Sequence, residues 1–491
     1  MSHISRRQAL ELFRYLALSA PMGGLLAGCG EEKGGSVRGP QNLGLSYLDS
    51  APALVGEEGS PWFMQGNYAP LEDAGTFVEG LEVIGSIPPE LSGTLLRNGS
   101  NPKDEPPPHW FFGDGMIHAV RFEEGEAKWY RNSWIETPAL QGEQSGISAG
   151  RANTSLVYHQ DKLLALYEVS PPFELDPQDL SSKGFHDYQG ELQSPMCAHP
   201  KIDPATGEMW FIGVDLIPPK LNISMVDAQG QLRRLDSLTL DKMIFMHDFQ
   251  LTERFVVIFD FPMLVSPAII QGGEVFDWRP ERGARIGLIP RDGSFGEAQW
   301  FEVPPSYTFH SFNAYEEGDE VIIELCNVQP ELGTDFFMGE VMPSPWRWRL
   351  NLSTGQATGE LLEELFTEFP MFDRRLQGRK HRYNYGLTLV ESSSDYPMHP
   401  NGIFKQDRET GELLRWDLGE AVQLDEALFV PASAEAGEDE GWLVSVAYNR
   451  VSDKSEVLIF EAQDPSLGPI ARVLLPERVP FGFHGLWLPK A

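Results

Sequence analysis

From about residue 70 onward, short apolar runs of strand length recur with acidic or glycine-bearing breaks between them, and apolar stripes of helical period are scarce. Six copies of one unit stand out: VRFEEGEAKWY (120–130), KIDPATGEMWFIG (201–213), MVDAQGQLRRL (225–235), IPRDGSFGEAQWFEV (289–303), LNLSTGQATGEL (350–361) and FKQDRETGELLRW (404–416). In each, an apolar run meets a turn in which glycine supplies the positive-φ position that a tight reversal needs, so each reads as two antiparallel strands. Roughly 420 residues at about 60 per unit come to about seven units, each longer than the usual 40–50 of blade repeats. The surplus predicts long loops on one face. The predicted fold is therefore all-β, a seven-bladed β-propeller over 66–491, with long loops forming a cap over an axial site. Two or three β-sandwiches in series remain an alternative on the strand pattern alone.

Four histidines bear on that choice. His199 (SPMCAHP), His247 (FMHDF), His310 (TFHSF) and His484 (FGFHGLW) each sit in an apolar or aromatic strand-like run. Successive members are 48, 63 and 174 residues apart, so no single hairpin or helix unites them. A lone histidine among aromatics reads first as a hydrogen-bonded core residue. Four in like settings read as metal ligands brought together by a closed architecture, because a propeller places the innermost strand of every blade around one axis. Sandwiches would leave them in separate cores. Imidazole alone suits iron, zinc or copper. The other histidines, His3, His109, His118, His159, His186, His381 and His399, have mostly polar, proline or glycine neighbours and read mainly as surface or second-layer groups.

A formal charge of −34 argues against a nucleic-acid partner, since phosphate binding needs clustered lysine and arginine. The acidic runs EEGDE (316–320) and EAGEDEG (435–441) lie at apparent turns and read as solvated faces. Of three cysteines, Cys197 and Cys326 lie in apolar runs and read as buried thiols rather than a disulfide framework. Cys197, two residues before His199, would share its strand face and so approach a metal.

The N-terminus MSHISRRQALELFRYLALSAPMGGLLAGC places Arg6 and Arg7 before a modestly apolar segment that ends in Leu26-Ala27-Gly28-Cys29. It resembles a bacterial twin-arginine signal joined to a lipoprotein processing box. Ala9 stands where such signals carry a larger apolar residue, and Arg14 interrupts the apolar region, which is too short to span a membrane. An amphipathic helix is the alternative. The expected organisation is a signal peptide over 1–28, a tether and N-terminal extension over 29–65, and one catalytic propeller. Lipidated Cys29 would hold an exported protein on a membrane of the bacterial cell envelope, on its periplasmic side.

Longer motifs carry a resemblance. LSGTLLRNGSNP, HWFFGDGMIHAVRF, AHPKIDPATGEMWF, MHDFQLTERFVVIFDFP, FHSFNAYEEGDEV, EDEGWLVSVAYN and GPIARVLLPERVPFGFHGLW are similar, in this order, to segments of the carotenoid cleavage oxygenases. That family cuts conjugated double bonds with O2 at non-haem iron. The resemblance implies one Fe(II) per chain, with His199, His247, His310 and His484 as ligands and catalytic centre. It also implies three glutamates that receive hydrogen bonds from ligand imidazoles: Glu168 in LLALYEVS, Glu368 in TEFP and Glu426 in DEALFVP. The implied reaction is dioxygenation of a carotenoid or apocarotenoid to two carbonyl products. A stilbene-cleaving member of the same family and a non-catalytic ligand-binding propeller are the alternatives. The stilbene branch resembles a group that binds a phenol through Tyr and Lys; Pro108, Pro138 and Ala139 stand near where that pair belongs. Phe112 occupies a place usual for Asp, Ser100 one usual for Pro, and Ala432 one usual for Arg.

A polyene offers nothing to hydrogen-bond along its length, so an apolar tunnel must set how deep it inserts. Phe245, Phe249, Phe309, Phe312 and Trp487 are candidates for its walls, with ordinary core packing the leading reading for most of them. Met263, Leu264, Val265, Ile269 and Ile270, in FDFPMLVSPAIIQGGEVFDW (259–278), form either an apolar loop against a membrane or buried packing under a neighbouring blade. The sequence carries no reading of oligomeric state.

Overall fold

The computed structural model describes residues 42–48, 59–104, 106–146, 149–271, 275–328, 342–389 and 399–490. Residues 1–28, read above as a signal peptide, and Cys29 lie outside them. Among the described residues the regular structure is strand, with short 3-10 turns between. All six predicted turns join antiparallel neighbours, from Glu123↔Glu126 in the first copy to Gln406↔Leu413 in the last.

The strands form the seven blades of a β-propeller. In chain order, the second blade runs from Ser155–His159 to Ser182–Phe185, the third from Lys201–Ile202 to Leu232–Thr239, and the fourth from Gln250–Leu251 to Gln299–Val303. The fifth runs from Tyr307–Glu317 to Ala357–Leu361 and the sixth from Thr367–Met371 to Leu413–Asp417. The first and seventh blades are built from both chain ends. His484–Pro489 pairs with Gly93–Ser100 in the first, while Val83–Gly85 pairs with Ala471–Leu474 in the seventh. Each end of the chain thus completes a sheet begun by the other, so the ring closes through backbone hydrogen bonds and the sandwich alternative falls away.

Burial follows from the sequence of the middle strands. Phe255–Asp260 (FVVIFD) and Lys454–Glu461 (KSEVLIFE) are apolar on successive positions and buried on both faces, as a strand between two neighbouring blades must be. The acidic turns have partners as well as solvent. Glu438 accepts hydrogen bonds from the Arg382 and Tyr383 amides at 2.5 and 2.7 Å, and Asp439 pairs with Lys405 at 2.6 Å. Part of the N-terminal extension is docked: Leu45 is buried, Arg472 donates to the Leu43 carbonyl at 2.7 Å, and the Trp416 indole donates to Asn42 Oδ1 at 3.1 Å.

Insertions between strands supply the cap. The 3-10 turn Trp110–Phe112 interrupts the first blade, and the two-stranded ribbon of Met263–Val265 and Phe276–Trp278 interrupts the fourth. Both contribute walls to the cavity described next.

Candidate metal centre

Each blade contributes one of the seven expected site residues. His484 opens the strand His484–Pro489 of the first blade, and His199 and His247 lie just before the leading strands of the third and fourth. His310 lies within Tyr307–Glu317 of the fifth blade and Glu368 within Thr367–Met371 of the sixth; Glu168 follows Lys162–Leu166 of the second, and Glu426 precedes Leu428–Pro431 of the seventh. Local packing fixes the approach to His199. The Cys197 amide donates to the Ile212 carbonyl at 2.8 Å, and a β-carbon on Gly213 would meet the Pro195 carbonyl oxygen at 2.1 Å, so only glycine lets the two segments lie this close.

The facing nitrogens of His199, His247, His310 and His484 all lie within 4.8 Å of one another. In succession their Nε2 atoms are 2.9, 3.2 and 3.2 Å apart. On the far side of three rings, a carboxylate faces Nδ1: Glu168 at 2.5 Å from His247, Glu368 at 2.6 Å from His310 and Glu426 at 3.2 Å from His484. Among the described residues no carboxylate faces His199. Two of the carboxylates are themselves held by main-chain amides, Glu368 by Phe369 N and Glu426 by Gly485 N, each at 2.8 Å.

This donor set fits a divalent cation. A carboxylate at Nδ1 keeps the proton there, leaving a lone pair on Nε2. Three such lone pairs converging with a fourth imidazole repel one another unless a cation sits between them. Spacings of about 3 Å are also those that neighbouring ligands take around a metal bonded at about 2.1 Å. Burial, reinforced by the other three imidazoles, holds His199 far below its ordinary pKa, and burial lowers His484 to about 4 against the pull of Glu426. At His310 burial is outweighed by Glu368, and the pKa rises. Cys197 is buried and, pushed by that burial to about 12, stays a thiol; it is not part of the four-residue cluster.

An apolar cavity is lined by His247, His310 and His484. The first blade's insertion supplies Trp110, Phe111 and Phe112, the fourth blade Phe245, Val265, Ile269 and Val275, and Leu216, Phe309, Met342, Leu389 and Phe483 complete most of the wall. Thr154, Tyr167, Glu168 and Glu368 are its other polar-bearing members, and no lysine or arginine lines it among the described residues.

Of the five candidate wall residues, Phe245 and Phe309 line the cavity; Phe249, Phe312 and Trp487 do not. Phe249 and Phe312 are core residues, and Trp487 packs on Phe122 at 5.7 Å. The core reading holds for Phe249 and Phe312 because His247–Phe249 is not regular strand and the pairing of Tyr307–Glu317 shifts register on both sides of Ser311. In the loop of the fourth blade, Met263 and Leu264 are buried away from the cavity, so the packing alternative holds for them, while Val265 and Ile269 face the cavity. The Ile270 side chain lies outside the described residues. Thr154, Tyr167, Val169, Leu216 and Leu389 were not foreseen, and nothing in their local sequence marks them.

The family model described as Retinal pigment epithelial membrane protein matches residues 68–489. The carotenoid 9,10(9′,10′)-cleavage dioxygenase 1 of Arabidopsis thaliana is 33% identical over 490 aligned positions, covering 87% of this chain and 89% of that one. The chain belongs to the carotenoid cleavage oxygenase family. A carotenoid cleavage oxygenase of Mycobacterium tuberculosis is likewise 33% identical, over 89% of this chain and 99% of its own. Among solved structures of the family, the cobalt-substituted Synechocystis apocarotenoid oxygenase superposes with a TM-score of 0.75 at 28% identity, covering 86% of this chain and 97% of that one. The family resemblance seen in the motifs thus extends through nearly all of the propeller.

Proposed function

We propose that this protein is a non-haem iron(II) dioxygenase that cleaves a conjugated carbon–carbon double bond of a carotenoid or apocarotenoid, with one iron per chain held by His199, His247, His310 and His484. One observation carries the reading: four imidazole nitrogens converge beside an apolar cavity that three of the rings line. Ferrous iron held by these four histidines would supply the redox chemistry that lets O2 react with an alkene. The overall change balances without an outside reductant, since one alkene and one O2 become two carbonyl compounds.

The chain's own residues then have distinct tasks. Glu368 and Glu426 hold the Nδ1 protons of His310 and His484 and Glu168 faces Nδ1 of His247, which aims the Nε2 lone pairs inward. Phe111, Phe245, Phe309 and Phe483 exclude water and give a polyene a dispersive wall. Because no lysine or arginine lines the cavity among the described residues to pair with a phenolate, the polyene reading is favoured over the stilbene one. A binding-only propeller has no use for four converging donors backed by three carboxylates.

For its location, we propose export as a lipoprotein anchored through Cys29 to a membrane of the cell envelope. The support is the Arg6-Arg7 pair and the Leu26-Ala27-Gly28-Cys29 box. A tether of that kind would bring the cavity mouth to a source of water-insoluble substrate.

The site assignment is tested by metal analysis of anaerobically purified protein. About one iron per chain is expected, with loss of retained iron in His247→Ala and in His484→Ala. Full iron in either variant would overturn the ligand assignment.

A further inference from the structure

Three of the four histidines have a carboxylate at Nδ1, and His199 has none among the described residues. Yet His199 stands in the ring with its Nε2 only 2.9 Å from that of His247. Something else must hold it.

Two residues beyond His199, Lys201 reaches Asp248, with Nζ 2.7 Å from Oδ1. Asp248 is the residue after His247. Its other oxygen accepts from the Ser311 amide at 2.9 Å and from the Ser311 hydroxyl at 2.5 Å, and Ser311 is the residue after His310. One buried carboxylate therefore ties together three segments from three blades, each at a point one or two residues from a histidine of the centre. Its Oδ1 also accepts from the Phe249 amide at 2.8 Å, so neither oxygen is idle. Both partners of the ion pair are sheltered, with side-chain exposures of 12% for Lys201 and 2% for Asp248, so the pair is not a solvent-screened surface contact.

The link from Lys201 back to His199 is short and stiff. Pro200 lies between them. Its ring locks its own φ, and its Cδ confines the preceding residue, His199, to extended backbone. Fixing Lys201 on Asp248 thereby fixes the backbone from which the His199 ring projects.

We propose that Asp248, with Lys201 and Ser311, is a positioning hub that sets His199 relative to His247 and His310, in place of the carboxylate His199 lacks. The inference rests on the four histidines being metal ligands. Asp248 itself touches neither metal nor substrate.

Cobalt(II) titration of metal-free protein, followed by its visible d–d absorption, separates the two claims. Wild-type protein that binds no cobalt would remove the metal reading, and this inference with it. If wild type binds, Asp248→Asn and Lys201→Met are each expected to weaken cobalt affinity roughly 10–100-fold and to shift the absorption bands, while Lys201→Arg restores both. The double variant should be no weaker than the stronger-acting single one, because the two residues form one unit. Should the ion-pair variants fail to fold, Ser311→Ala keeps the Lys201–Asp248 pair and removes one hydroxyl; it should still shift the spectrum. A purely structural role would lower the thermal midpoint but leave the affinity and spectrum of the folded protein unchanged. Wild-type affinity and bands in folded Asp248→Asn, or in Ser311→Ala where that variant is needed, would overturn the proposal.

Discussion

The Nδ1 atom of His310 and the Oε2 atom of Glu368 lie 2.6 Å apart although 58 residues of chain separate them. The same oxygen accepts the Phe369 amide at 2.8 Å. Phe369 adopts a φ of 54°, a left-handed conformation that a bulky residue rarely takes, and its ring lies against His310 at a centroid distance of 5.6 Å. Backbone strain, a carboxylate and a ring stack meet at one imidazole.

Glu368→Gln keeps the size of the side chain but replaces a charged acceptor with a neutral one. Iron affinity is expected to fall roughly 10–100-fold with the fold retained. Competition against a chelator of known affinity measures the loss. An unchanged affinity would mean that the carboxylate does not orient the ring.

Phe112, at the position where the motif resemblance implies aspartate, lines the cavity. It is partly buried, so Phe112→Asp removes part of an aromatic side chain's apolar contact and adds a charge. A loss of about 1.5 kcal/mol, at the low end for burying such a side chain, corresponds to a rise in KM of roughly tenfold for an apolar polyene. The turnover number should change less, because the reacting bond lies deeper. Steady-state kinetics with one substrate decides it.

Two histidines away from the centre make stability fall with acid. His118 is buried with Nδ1 2.8 Å from the Tyr130 hydroxyl, and burial, with Arg478 and Arg97, lowers its pKa to about 3. His381 is buried beside Asn384 at 2.6 Å, and burial lowers it to about 4 although Glu324 at 3.9 Å opposes. Unfolded chain takes up these protons near pH 6.5 and folded chain does not, so the unfolded state binds more protons below that pH. The stabilisation is full above about pH 6.5 and is lost as pH falls toward 4. Each group contributes a slope of about 1.4 kcal/mol per pH unit within its window. Denaturant midpoints between pH 6.5 and 5 should fall, and His381→Gln should lessen the slope; a flat profile would contradict this.

How much of this could be read in advance varied with how local the signal was. A glycine-bearing turn between apolar runs is a local instruction, and Glu123↔Glu126 and Gln406↔Leu413 form where the sequence marks them. The four histidines could be picked out because each interrupts an apolar run. Glu168, Glu368 and Glu426 could not, since an isolated glutamate reads as surface charge; only family motifs singled them out. Least legible was the cavity wall, because Thr154, Leu216 and Leu389 come from different blades and meet only after ring closure. Phe249 and Phe312 each lie two residues from one of the four histidines, and irregular backbone turns both into the core, the reading favoured for most of these aromatics.

Cys29→Ser removes the proposed lipid attachment while leaving the propeller untouched. Cell fractionation should then find the protein released from membranes, with its oxygenase activity intact. Continued membrane association would count against lipidation at Cys29.

Oxygen uptake by iron-loaded protein, followed with a carotenoid, an apocarotenal and a hydroxystilbene in parallel, tests the central claim most directly. One O2 consumed per double bond broken, with two carbonyl products from a carotenoid or apocarotenal and none from the stilbene, is the predicted result. Protein carrying about one iron per chain that consumes no O2 with either polyene would contradict the account.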